Sequence, residues 1–196
     1  MTIDGNICLS IGRSFTILEK LKNNIMIRIV EADISLTEHA EAMVQLMDVY
    51  ALDPMGGGQG LSDYVKENLP SELAKRESAH VILAFVDAEP AGLVVCLEGF
   101  STFACKPLLN IHDLIIALPY RRRGLSKLLL QKAEEIAFDL GCCKLTLEVL
   151  EGNHVAQSAY KSFGFIGYEL NPQMGKALFW EKKLGKLLDK AKSSSN

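Results

Sequence analysis

Asp113-Leu-Ile-Ile-Ala-Leu-Pro-Tyr-Arg-Arg-Arg-Gly-Leu-Ser126 is the stretch whose reading decides the fold. An apolar run reads as a buried strand, Pro119 interrupts it, three arginines follow, and a helix is expected from Gly124. A helix start leaves backbone N–H groups unpaired and carries partial positive charge, so it suits phosphate oxygens. Gly124 lets the backbone approach a ligand with no Cβ in the way. Arg121, Arg122 and Arg123 add donors that match phosphate geometry. The same residues also suit a solvated basic loop that only caps a helix, and the local pattern does not choose between the two.

Downstream, the expected helix places Leu125, Leu128, Leu129, Ala133, Ile136, Ala137 and Leu140 on one stripe, with Gly141 as its stop. Lys144–Leu150 reads as a strand, and Asn153 caps a helix, Val155–Phe163, closed by Gly164. Phe165–Leu170 and Ala177–Leu184 read as the last two strands. Upstream, Ile25–Val30 alternates as a strand, and Ser35 with Glu38 spells a capping box for a helix ending near Leu52. Met55–Gly60 is glycine-rich. Short helical stretches lie at Ser62–Leu69 and after Pro70. Ala79–Val86 and Ala91–Glu98 read as a hairpin about Asp87–Pro90, and Leu108–Leu118 as the next strand. This order is a mixed α/β layer fold.

At 196 residues the chain suits one domain with a real core. The boundaries expected are 1–24 as an extension, 25–184 as the domain and 185–196 as a Lys- and Ser-rich tail. A net charge of −3 speaks against a general nucleic-acid binder, which needs a strongly basic face. Five cysteines without a CxxC pair fit reduced thiols better than a disulfide framework or a zinc site. With no apolar run of membrane-spanning length and no signal-like N-terminus, the expected location is cytoplasmic.

Two blocks in register carry a resemblance. Arg121, Gly124 and Ser126 fit the Arg/Gln-x-x-Gly-x-Gly/Ala motif of the GNAT acetyltransferase superfamily, with Ser126 in place of Gly or Ala. Asn153, Ala156, Tyr160, Gly164 and Phe165 are similar to that family's Asn-x-x-Ala-x-x-x-Tyr-x-x-x-Gly-Phe signature. The resemblance implies the GNAT fold, a mostly antiparallel sheet of about seven strands flanked by helices and splayed between two central strands. It further implies acetyl-CoA as co-substrate, no metal, and an N-acetyltransferase that moves acetyl to a primary amine of a small molecule by direct attack. Backbone of Leu114, Ile115 and Ile116 would meet the thioester and pantetheine. Residues 121–127, including Leu125 and Lys127, would hold the pyrophosphate, Asn153 the pantetheine arm, and Tyr160 the leaving sulfur. Peptide or protein N-terminal acetylation and a non-catalytic acyl-CoA sensor share these motifs. A homodimer is compatible with the family's habits.

Phe100-Ser-Thr-Phe103 with Ile111-His112-Asp113-Leu114 is similar to strings in the spermidine/spermine and thialysine acetyltransferases. Their glutamate before the aspartate is His112 here. An imidazole titrating near neutrality suits a general base, so His112 is the leading candidate. A hydrogen-bonded structural histidine fits the residue equally. Glu98 and Glu148 are reserves, and Asp113 is read as fixing local geometry. His39, His80 and His154 show no partner pattern in the sequence.

Overall fold

The computed structural model describes residues 7–11, 14–20, 25–169, 171, 173 and 175–182, with side chains from residue 25 onward. The chain groups into a unit ending at Gly164 and a second beginning at Phe165.

The first unit is built on strands β1 (Ile7–Ile11), β2 (Ser14–Lys20), β3 (Met26–Glu31), β4 (Ala79–Val86), β5 (Glu89–Ser101), β6 (Lys106–Ile116) and β7 (Leu145–Leu147). They lie side by side in chain order, antiparallel except for the parallel pair β6–β7. Helices α1 (Thr37–Leu52) and α2 (Asp63–Ala74) sit between β3 and β4 in sequence. Helix α3 (Leu125–Asp139) provides the crossover that a parallel β6–β7 pair requires. Helix α4 (His154–Phe163) follows β7.

Period-two alternation sends the two faces of the sheet to different helices. Val30, Val81, Leu83, Phe85, Leu93, Val95 and Ile115 pack with Ala42, Met43 and Leu46 of α1. Ile116 and Gly92 face the other way, onto Leu129 of α3. Gly92 is fixed by this packing, because a Cβ there would lie 2.8 Å from Ile116 Cδ1 and 3.0 Å from Leu129 Cδ1. Leu125 and Leu129 are fully buried. Truncating either to Ala costs about 2–5 kcal/mol through lost contacts and the cavity left behind.

Five of the seven expected strands are present, as β3 to β7. The other two expected strands, 165–170 and 177–184, are not: described residues 165–169 and 175–182 carry no strand. Two N-terminal strands, β1 and β2, extend the sheet beyond β3 instead. The expected strand 144–150 shortens to three residues, since the chain turns at Glu151-Gly152 to set up α4.

The capping box also fails. Ser35 Oγ donates to Asp33 Oδ1 at 2.6 Å, Glu38 pairs with Arg28, and α1 starts after Leu36 with no side-chain cap. Asp33 Oδ1 accepts from both the Ser35 hydroxyl and the Ser35 backbone N–H, which holds Ser35 in a turn ahead of the helix and leaves Leu36 at the cap position. Pro70 lies inside a single α2 rather than between two helices. No described helix is long and apolar enough to cross a membrane.

Candidate active site

β6 and β7 are paired only from Leu109–Leu145 to Ile111–Leu147. Beyond Ile111, β6 continues to Ile116, held by β5 on one edge, while β7 has already ended. The β7-facing edge of residues 112–116 therefore lines an open wedge. An unpaired strand edge offers backbone N–H and C=O groups to any extended ligand that enters. Leu114, Ile115 and Ile116 lie on this edge.

At the head of the wedge β6 contains an irregularity. Ile111 opposes Cys96 and Asp113 opposes Val95, so His112 is an extra residue without a β5 partner. Strict alternation would put residues 111 and 113 on one face. The extra residue instead leaves Ile111 with Cys96 and turns Asp113, with Val95, toward α1. His112 is exposed at this point.

After Ile116 the chain makes a short turn, Leu118–Tyr120, and enters the cradle. Arg122 has φ of 62° and Gly124 φ of 81°. Alternating handedness of this kind curls successive N–H groups into an anion-binding concavity. Among the described residues, no backbone or side-chain acceptor takes the N–H groups of Arg122, Arg123, Gly124, Leu125 or Ser126. A Cβ on Gly124 would meet nothing within 4 Å, so the glycine opens onto free space. Arg122 and Lys127 make no hydrogen bond or ion pair among the described residues, while Arg123 lies 5.5 Å over the Tyr120 ring. These groups fit a pyrophosphate: five unpartnered N–H groups, two uncommitted cations and open space at Gly124.

Arg121 is arranged differently. Its Nε donates to the Ile116 carbonyl at 3.0 Å and its terminal nitrogen to Asp53 Oδ2 at 2.8 Å. Its guanidinium is thus held at the end of α1.

On the far side of the wedge, Asn153 Oδ1 accepts from Ala156 N at 3.1 Å and starts α4. This half of the amide is spent on the cap, which leaves its NH₂ to a ligand. One turn from the end of α4 stands Tyr160. Burial, followed by the charge of Tyr50, pushes its phenol up to about 12. Tyr50 is raised in turn by burial, then by Asp113 and Asp53. Asp113 is raised by burial, with His112 opposing. Tyr50 is therefore within electrostatic reach of both Asp113 and Tyr160. Tyr50 was missed in the sequence; it lies on an apolar helix face, and only tertiary packing brings it beside Tyr160.

The reserve carboxylates are engaged elsewhere. Glu98 Oε1 is 2.9 Å from His80 Nε2, and Glu31 Oε1 is 3.0 Å from His80 Nδ1. This trio spans three strands on the face opposite Asp113, so His80 has partners that the sequence did not reveal. Glu148 lies 3.4 Å from Asn110 Nδ2 at the closed end of the wedge. No group of three or more described His, Cys, Asp or Glu residues is arranged to hold a metal ion.

The wedge, the glycine-opened cradle and α4 fall within residues 43–165, which match the acetyltransferase (GNAT) family profile. The chain belongs to the acetyltransferase (GNAT) family. It is 32% identical over 92 residues to the thialysine N-epsilon-acetyltransferase of Caenorhabditis elegans, covering 47% of this chain and 57% of that protein. It is 31% identical over 111 residues to an N-acetyltransferase of Archaeoglobus fulgidus, covering 53% of this chain and 76% of that one. The thialysine N-epsilon-acetyltransferase of Bos taurus is 35% identical over 80 residues, covering 39% of this chain and 47% of its own. The GNAT chain thus spans about half the length of the thialysine acetyltransferases it matches.

Solved structures share the GNAT fold. The aminoglycoside acetyltransferase AAC(6')-Iy, in complex with a bisubstrate analogue, superposes with a TM-score of 0.64 at 17% identity, covering 80% of this chain and 98% of its own. A possible acetyltransferase from Clostridium difficile gives 0.65 at 19% identity, covering 81% and 97%.

Proposed function

We propose that this GNAT protein is an N-acetyltransferase that moves acetyl from acetyl-CoA to a primary amine of a small molecule, by direct attack in a ternary complex. The observation that carries the reading is the run of five unpartnered N–H groups, 122 to 126, directly beyond the open edge of β6. The cradle binds the pyrophosphate with Arg122, Arg123 and Lys127, and Arg121 frames its rim. Leu114, Ile115 and Ile116 hold the pantetheine arm by their backbone, as does the free side of Asn153. Ser126, on the first turn of α3, adds a hydroxyl near the phosphates where the family has Gly or Ala.

Acetyl-CoA supplies an activated thioester, and what remains is proton traffic and charge. The attacking amine must lose a proton, and the sulfur that leaves must gain one or be stabilised. His112, exposed at the head of the wedge, takes the amine proton directly or through water. Tyr160, held protonated through the neutral range, donates to the leaving sulfur. Asp113 and Tyr50 shape the field between them. The cytoplasm, where acetyl-CoA and reduced thiols coexist, is the fitting location, and a homodimer the fitting assembly.

The relatives named for thialysine favour an acceptor with an aminoalkyl arm. The test is thiol release from acetyl-CoA across a panel of amines, amino acids and N-terminal peptides, with Tyr160→Phe alongside. Turnover with small amines supports the reading. Turnover with peptides alone replaces it with N-terminal acetylation, and acetyl-CoA binding with no acceptor acetylated replaces it with an acyl-CoA sensor.

A further inference from the structure

We propose that Asp53 is a positioning residue for the acceptor side of the cleft, acting through Arg121 to lock the glycine-rich loop 53–60 to the phosphate cradle. The inference rests on the reading that the cradle holds acetyl-CoA.

Arg121 heads the cradle, yet its Nε and one terminal nitrogen are committed away from it, to Ile116 O and Asp53 Oδ2. Asp53 is the last residue of the α1 end and the first of the loop. Its Oδ1 accepts from Met55 N at 2.9 Å, and its carbonyl accepts from Gly56 N at 2.8 Å and Gly58 N at 3.1 Å. One aspartate thus closes the turn and ties it to the strand that leads into the cradle. The loop sits hard against α1: a Cβ on Gly56 would be 1.9 Å from the Tyr50 carbonyl oxygen. Its other foot is anchored by Asp48, which accepts from Leu61 N at 2.8 Å and from Lys66 Nζ at 2.8 Å. Between the feet, Gly57 and Gly58 take φ of 119° and 73° with nothing within 4 Å of a Cβ position, so the crest stands in open space.

This arrangement divides the labour of the basic run. Asp53 neutralises Arg121, which becomes a strut, and leaves Arg122 and Lys127 as the uncommitted cations at the phosphates. It also links the two halves of the site. Tyr50, whose carbonyl supports the loop, is close enough to Asp113, Asp53 and Tyr160 for their charges to act on one another. Loosening the strut frees the loop from Arg121 and from the Tyr50 end of α1, on the side of the site where the amine must enter, while the N–H groups of the cradle keep their places.

The experiment compares the unaltered protein with Asp53→Asn, Asp53→Glu, Arg121→Ala and the Asp53→Asn/Arg121→Ala pair. CoA affinity is read by calorimetry, and amine KM and kcat with the fastest acceptor of the panel. Asp53→Asn is expected to raise the amine KM about tenfold, a loss typical of misplaced positioning groups. CoA affinity is expected to stay within about twofold, with Asp53→Glu recovering part of the loss. The double variant is expected to be no worse than Asp53→Asn alone, because both changes break one interaction. Arg121→Lys, which can reach Asp53 but not Ile116 O as well, is expected to be intermediate and serves should Asp53→Asn not fold.

Additive effects in the cycle, or CoA affinity falling as far as amine affinity in Asp53→Asn, overturn this inference alone. No CoA binding by the unaltered protein, or no amine acetylated, overturns the acetyl-CoA transferase reading and this inference with it.

Discussion

Ile111 and Leu147 are the last paired residues of β6 and β7, and the wedge opens immediately beyond them. His112, the next residue, is also the one without a partner on β5. The same position therefore frees one strand edge and turns Asp113 toward α1. A continuous β6–β7 ladder would leave no place for a second extended chain.

His112→Ala tests the base at this position. It is expected to lower kcat about 10²-fold, the low end for a general base, and to change the pH–rate profile. An unchanged profile means that His112 is not the base. Asp113, which burial holds above the usual carboxylate range, is then the next group to replace, with Asn.

Replacing Tyr160 with Phe is expected to cost about 10²- to 10³-fold in kcat while CoA affinity holds. The phenol is pushed up to about 12 by burial and Tyr50, so it remains protonated well above neutrality. Loss of Tyr160 function with rising pH should thus begin only near that value. The stability sign agrees: between its ordinary value of 10 and about 12 only the unfolded chain ionises this group, so stability falls as pH rises through that window. A Tyr160-dependent alkaline limb centred near pH 9 would contradict the assignment.

Gly124→Ala separates folding from binding. At φ of 81° an alanine costs roughly 1–2 kcal/mol, a modest drop in Tm. The added methyl meets no protein atom within 4 Å, so a loss of CoA affinity beyond the folding cost reports a ligand in the open space beside it. Weakening of CoA by about tenfold, or 1.4 kcal/mol, is the expected result by calorimetry. Unaltered affinity would place the pyrophosphate elsewhere.

The Glu31–His80–Glu98 trio predicts a pH-dependent stability away from the site. Glu31 first, then Glu98, raise the imidazole above its ordinary value of 6.5, against the opposing effect of burial. The charged histidine is therefore favoured by folding. Its contribution is fully present below the unfolded value and is lost as pH rises through the folded one. Cys96 and Cys142, the nearby thiols, are both raised and stay neutral across that window. Urea unfolding from pH 5.5 to 8.5 should show stability falling in the unaltered protein, relative to His80→Gln. Parallel curves for the two would remove His80 as the source.

Sequence alone determined the turn before α3, that helix and α4, because these depend on local rules. A glycine that must take positive φ, an Asn that caps and an apolar stripe at helical spacing are each legible within a dozen residues. The resemblance added the register between Gly124 and Tyr160, and with it the proposed donor. Strands 165–170 and 177–184 were misread because alternation marks a strand-like pattern and not its pairing partner. Ser35 and Glu38 were misread because a capping box assumes no competitor, and Asp33 and Arg28 compete.

Tertiary structure decided the rest. It placed His112 as the extra residue of β6, brought Tyr50 from another helix to Asp113 and Tyr160, and clamped His80 across three strands. It also gave the arginine that heads the motif to Asp53, 68 residues away in the chain. Interactions at that separation leave no spacing to read, since they depend on how whole strands and helices register against one another. The glycine-opened turn before α3 is a property of its own short sequence; the use of each charge around it is set by the fold.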